Sequence, residues 1–170
     1  MIQLSNPVRL AVRQEFASQF NAQLALACAP LGLTPFEIDF ATPGKNYFDG
    51  PLDLNDFLSY LEENPDAVPA LCLYGIKLGT DRRTVARFSG NVAIGGAVFL
   101  RYPVDATDFE SLKEAVEAAI TGIIHESDTD DWGHGTYEND LRFTSSGLVF
   151  HNGSFYRTIS FSMSFQITAN

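Results

Sequence analysis

A chain of 170 residues, 45% hydrophobic and 12% aromatic, has enough apolar side chain for one domain with a real core, which excludes an unstructured acidic tail. Its net charge of −10, from 21 acids against 11 bases, argues against a grip on nucleic acid, which needs Lys and Arg to neutralise phosphates. No basic-then-apolar leader opens it, and its longest apolar run, Val92 to Leu100, is far short of the roughly 20 residues that span a bilayer, so it reads as a soluble protein made in a cytoplasm.

Ser5-Asn6-Pro7 starts a helix: a capping side chain, then proline where its missing N–H costs nothing. The helix runs to about Cys28 and stops before Pro30 and Gly32, with Val12, Phe16, Phe20 and Leu24 as its apolar stripe. After Glu15 no charge appears until Glu37, and Ser18, Gln19, Asn21 and Gln23 are polar but neutral. A solvated helix face usually carries Lys and Glu, so this one reads either as plain uncharged surface or as a contact with another protein.

Phe36 to Phe40 is expected as a short strand, followed by a mobile loop near 41–51 that is rich in Pro, Gly and Asn. Asp53 caps a short helix in which Leu54, Phe57, Leu58 and Leu61 follow i, i+3, i+4, i+7, and Asn64-Pro65 ends it. Val68 to Leu78 and Thr84 to Tyr102 read as strands joined by the turn "GTDRR". In the second, Val92, Ile94, Val98, Leu100 and Tyr102 share one face, and Gly95-Gly96 marks a bulge or a close backbone approach. Lys77, Arg82, Arg83, Arg87 and Arg101 gather here with Asp81 as the one acid, a basic hairpin arm on an acidic body. That arm is ordinary surface or an electrostatic dock for an acidic neighbour.

Thr107-Asp108-Phe109-Glu110 is a capping box, and the helix behind it buries Phe109, Leu112, Val116, Ala119, Ile120 and Ile123, ending near His125. Leu141 to Phe150 reads as a strand, His151-Asn152-Gly153 as a tight turn, and Ser154 to Thr168 as a long strand. Phe155, Ile159, Phe161, Met163, Phe165 and Ile167 face one way along it; Ser154, Thr158, Ser160, Ser162, Ser164 and Gln166 face the other. Cys28 and Cys72 fall inside regular elements and are expected as buried, reduced thiols. Together these elements give a single α+β domain over 1–170. Its antiparallel sheet has about four to five strands, two main helices pack on one face, and a long hairpin arm projects.

The stretch "SDTDDWGHGTYEND", 127–140, invites a metal. As a calcium loop from Asp128 it places Asp130 and Gly133 correctly, but Trp132 and Asn139 stand where an oxygen ligand and the bidentate Glu belong. His125 and His134 lack the spacing of a helical zinc site, the serines offer no nucleophile elbow, and "SGNVAIGG" lies inside a strand with no Lys-Ser/Thr after it. The stretch reads as an acidic connector anchored by Trp132, which is also a candidate partner contact. No catalytic residue, metal or cofactor is expected.

The order of elements from Val68 onward resembles the tail terminator proteins of long-tailed bacteriophages: "VPALCLYGIKLG", then "NVAIGGAVFLRYPV", the capped helix "DFESLKEAVEAAITGII", an irregular loop with Trp, "LRFTSSGLVF" and "YRTISFSMSFQI", with an N-terminal helix before all of it. The resemblance is one of layout and spans nearly the whole chain. It implies a structural virion protein with no catalytic residues. Such a protein assembles, usually as a six-fold homo-oligomeric ring, on the last ring of the tail tube, stops tube growth and offers a joining surface to the head-side connector or stopper. DNA passes through the ring unread. Other neck or minor tail proteins share such a layout. On that reading the expected interface residues are Ser18, Gln19 and Gln23 of the first helix, Arg82, Arg83 and Arg87 of the arm, Trp132, and Ser160, Ser162 and Ser164 of the last strand. The competing readings are a small metal-binding domain or hydrolase built on 127–140, and a monomeric adaptor.

Overall fold

A computed structural model of the chain describes residues 5–42, 44–49, 53–78, 82–84, 87–102, 108–125, 132–133, 135–145 and 147–169. Helix α1 (Ser5–Cys28) buries Val8, Val12, Phe16, Phe20, Leu24 and Cys28 completely. These lie every fourth residue, and a strict four-residue repeat turns by about 40° per step on a 3.6-residue helix. The buried row therefore winds around α1, so its first turns meet a different part of the fold from its last. Near its start Pro7 and Val8 touch Gly133 and Gly135, and Phe16 stacks on Phe161 with ring centroids 5.5 Å apart. Further along, Phe20 meets Phe36 and Phe40. A 3-10 turn (Ala29–Leu31) and Gly32 at φ 67° close the helix, with Leu33 N–H donating to Cys28 O at 3.2 Å.

Phe36 to Phe40 forms no strand. Asn21 bonds both backbone groups of Ile38, and Asn46 bonds the Glu37 carbonyl and the Asp39 N–H, so the segment's polar groups are satisfied by side chains. The strand comes later, where a loop is expected: β1 (Tyr47–Asp49) pairs parallel with β2 (Ala70–Leu78). Asp39 takes the N–H groups of Ala41 and Thr42 and the Lys45 ammonium, which ties down the described part of that loop.

Helix α2 (Leu54–Glu63) begins at Asp53, whose carboxylate accepts from the N–H groups of Asn55 and Asp56. Short β3 (Arg82–Thr84) and long β4 (Arg87–Tyr102) follow β2, and α3 (Phe109–His125) follows β4. The cap of α3 is Asp108, which holds Ser111 N–H at 3.2 Å and Ser111 Oγ at 2.7 Å; Thr107 lies outside the described residues. Beyond it come β5 (Gly135–Tyr137), β6 (Arg142–Ser145), β7 (Val149–His151) and β8 (Ser154–Ala169). The single strand expected over Leu141 to Phe150 is thus two. Asn152 at φ 47° and Gly153 at φ 93° make the two-residue turn between β7 and β8, the mirror-image type whose twist suits a hairpin.

The sheet runs β1-β2-β4-β8-β5, with β3 also on β4, and β6 and β7 also on β8. It is mixed rather than wholly antiparallel, and it has more strands than the four to five expected. The extra ones are pieces of three or four residues, too short to show a period in sequence. β4 and β8 are its spine, paired from Phe88–Ala169 to Tyr102–Phe155. As expected, two main helices, α1 and α3, share one face of the sheet and its larger core. The third, α2, covers part of the other face over Ala70, Cys72, Ala97, Phe99 and Tyr156. Of the two readings of Gly95-Gly96, close approach holds at Gly96: a Cβ there would overlap the Phe161 ring and come within 2.8 Å of Cys72 O. The register shift lies on the partner strand, between Gly75 and Lys77 of β2, opposite Ile94 and Ala93 rather than the glycines.

Candidate assembly surfaces

The uncharged stretch of α1 divides by what each side chain touches. Asn21 is committed inward: its amide donates to Ile38 O and accepts from Ile38 N–H, both at 2.9 Å. Gln23 is half-buried against α3, its Oε1 2.8 Å from where a Cβ on Gly122 would stand. These two are neutral because the fold uses them. Gln19 bonds the Glu15 carboxylate at 2.6 Å and Ser18 the Glu15 carbonyl at 3.1 Å, both on the outer side. Around them Ala17, Ala22 and Ala25 are exposed and Leu26 is 70% exposed; Leu10, 47% exposed, lies two turns earlier between Arg9 and Arg13 on another side of the helix. From Phe16 to Phe36 this outer surface offers water no charge at all. Between α1 and α3 lies an open groove of about 440 Å³, walled by Gln23, Leu26 and Ala27 on one side and Ala118, Thr121 and Gly122 on the other, with His125 at its end.

On the opposite face of the sheet, Thr158, Ser160, Ser162 and Ser164 are half-buried in one row. α2 covers only one end of that row. It is held there by Phe57, Leu58 and Leu61 and by three polar contacts with the β7–β8 hairpin: Ser59 with His151 at 3.0 Å, Ser154 with Glu62 at 3.2 Å and Tyr156 with Glu62 at 2.9 Å. Beside α2 an apolar cleft of about 380 Å³ opens between Leu54, Leu58, Tyr74, Phe99, Val149 and Ser160. A serine beside a histidine also resembles a nucleophile and its base, but His151 Nε2 is shared with Asn152 at 3.1 Å. Among the described hydrogen bonds no carboxylate orients its ring.

The helix-side face carries a third surface that sequence reasoning missed. Tyr102, Phe155 and Phe150 stand opposite one another on β4, β8 and β7, exposed by 43%, 43% and 62%. The rings of Phe150 and Phe155 lie 5.0 Å apart. The alternation puts Phe155 on the core face, and the face is right. The helical cover ends before it, at Arg157, whose guanidinium sits 3.5 Å over the Phe109 ring at the start of α3. The available signal was position: three aromatics at strand ends, next to a turn and beyond the reach of either helical stripe.

Trp132 is buried at 4% exposure with its ring 5.5 Å from Phe165, so it anchors the end of the acidic segment on the core and offers no ring to a partner. The backbones of Arg82, Arg83 and Arg87 pair in β3 and β4; their side chains lie outside the described residues. So do residues 126–131 and His134, which carry most of the acidic stretch. Its described end has a structural task. Asp140 Oδ1 accepts the Ser164 N–H at 2.7 Å, and Glu138 N–H donates to Ser164 O at 3.0 Å, so the two continue the ladder between β5 and β6. Arg9 and Arg13 of α1 flank Asp49 at 3.7 and 3.6 Å, and Arg13 also lies over the Tyr47 ring.

Among the described residues no group of three His, Cys, Asp or Glu side chains is placed to hold a metal, and no helix is long and apolar enough to cross a membrane. Cys28 and Cys72 are free and fully buried, and burial pushes both thiols above their ordinary range, Cys72 to about 12. No protein-family model matches the chain, and no curated protein matches it in sequence.

Proposed function

We propose that this chain is a structural protein of a phage virion, of the tail terminator kind. Copies join in a ring, six-fold by analogy with that family, on the head-proximal end of the tail tube. The ring stops the tube's growth and offers a joining surface to the head-side connector or stopper, while DNA passes through without specific binding. The observation that carries this reading is the outer surface of the second half of α1, where no charged residue occurs from Phe16 to Cys28 in a chain of net charge −10 and Leu26 is exposed. A helix apolar on more than one face is normally covered on more than one face. A charge-free surface on an acidic protein is also where copies approach with least repulsion. The resemblance of the order of elements to that of tail terminators supports the same reading, as does the hydroxyl row of β8.

The test is to add purified protein to polymerising tail tubes and measure tube length by negative-stain microscopy. Short tubes with a ring at one end are expected. Tubes that grow unchecked, with the protein left free in solution, overturn the proposal.

A further inference from the structure

We infer that copies of this chain meet head to tail, the aromatic row of one seated in the α1–α3 groove of the next; this rests on the ring reading above and names its contact. The two surfaces sit at opposite ends of α3. Phe155 is two residues from Arg157, which packs on Phe109 in the first turn, whereas the groove runs from Ala118 to His125 in the last two. At 1.5 Å per residue those ends are about 20 Å apart. A contact between two unlike surfaces need not be reciprocal: the row of one copy can enter the groove of the next while its own groove takes the row of a third. A repeated contact between unlike surfaces closes into a ring when its rotation divides a full turn.

The occupant is a second copy because the chemistry of the two surfaces matches. The row offers apolar rings, Phe150 foremost at 62% exposure. The groove offers alanine, glycine and threonine at its floor and Leu26 at its rim, and its volume of about 440 Å³ lies in the range that accepts aromatic groups. Neither the row nor the lining of the groove includes a carboxylate. In a chain with 21 acids and 11 bases, that is what two like-charged copies need at their contact. Phe150 and Leu26, the two most exposed large hydrophobic side chains among the described residues, would be covered by the same event.

Cysteine cross-linking tests the pairing. Leu148→Cys, an exposed position two residues before Phe150, and Ala118→Cys in the groove place one thiol on each side of the contact without removing a ring of the row, and the native Cys28 and Cys72 are buried. Under mild oxidation, free and on tail tubes, a mixture of the two single variants should give covalent dimers and each variant alone at least tenfold less. The double variant should give a ladder that ends at the ring number. Adding Leu26→Glu to the Ala118→Cys chain should cut cross-linking at least tenfold without moving its melting temperature. No cross-link in the mixture, either free or on tubes, overturns the inference, as does equal cross-linking by a single variant. Cross-links from a protein that leaves tubes uncapped would keep this contact and sink the tail-end role. Normal capping by a Phe150→Ser, Leu26→Glu double variant would do the reverse.

Discussion

Glu62 on α2 accepts the phenolic hydroxyl of Tyr156 on β8 at 2.9 Å, and the ring of Tyr156 is completely buried beneath the helix. Burial first, then the adjacent carboxylate, disfavours the phenolate and pushes this hydroxyl from 10.0 up to about 12. The folded value lies above the unfolded one, so the contribution to stability is whole below pH 10 and is lost as pH rises towards 12. Cys72, raised from 9.0 to about 12 by the same burial, begins its loss one pH unit earlier. Urea midpoints measured from pH 8 to 11 should therefore fall steadily above pH 9. Tyr156→Phe should cost about 1–2 kcal/mol at pH 8, where Glu62 loses a donor, and should make the fall above pH 10 shallower. A midpoint flat to pH 11 in the parent protein contradicts this.

Gly96 and Gly122 look alike in sequence and should behave oppositely. An added methyl at Gly96 meets the Phe161 ring and the Cys72 carbonyl, neither free to move inside the paired β2, β4 and β8. At Gly122 it meets the end of the Gln23 side chain, which has room to swing out into the groove. Gly96→Ala should cost about 3 kcal/mol or fail to fold. Gly122→Ala should change stability by less than about 1 kcal/mol, since it also gains helix propensity. Denaturant unfolding of both variants distinguishes them.

The neutral residues of α1 separate in the same way. Asn21→Ala strips both backbone partners from Ile38 and should cost about 2 kcal/mol. Ser18→Lys and Gln19→Lys should each stay within about 0.5 kcal/mol of the parent, because Ser18 is exposed and a lysine at the half-buried position 19 still reaches Glu15 four residues back. If the outer side of α1 is where copies meet, the lysine variants should fold normally and fail to cap tubes. Normal capping by both would make that side plain surface.

The long periodic elements were legible in the sequence because each buries one face. The rows Val12–Phe16–Phe20–Leu24, Phe109–Leu112–Val116–Ile120 and Ile159–Phe161–Met163–Phe165 all lie in the core as their spacing requires. The short elements were not legible. β1 holds three residues in a Pro- and Gly-rich stretch and exists because Asn46 and β2 receive it. The site was legible only in part. Missing charge marked the outer side of α1, but it also flagged Asn21 and Gln23, which are neutral for internal reasons. Alternation placed Phe155 on the correct face but could not show where the helices stop covering that face. Trp132 looked available because its neighbours in sequence are acidic, whereas its neighbours in space are Phe165 and the core.

Asp140 tests what the described end of the acidic segment is for. Its carboxylate accepts the Ser164 N–H at 2.7 Å, in the gap that the break between β5 and β6 leaves on the edge of β8. Asn139 next to it takes φ 55°, a left-handed turn that asparagine tolerates better than most residues, and this aims Asp140 back at the strand. Asp140→Ala would leave a half-buried N–H without an acceptor and should lower stability by about 1–3 kcal/mol. Asp140→Asn keeps an acceptor oxygen and should recover most of that. If the carboxylate serves the ladder alone, the loss should be equal in excess chelator and in millimolar calcium, and the parent protein should melt at one temperature in both. A ligand at this position would stabilise by RT ln(1 + [L]/Kd), so a parent melting several degrees higher in calcium, with the difference gone in Asp140→Ala, would assign the residue to a cation instead.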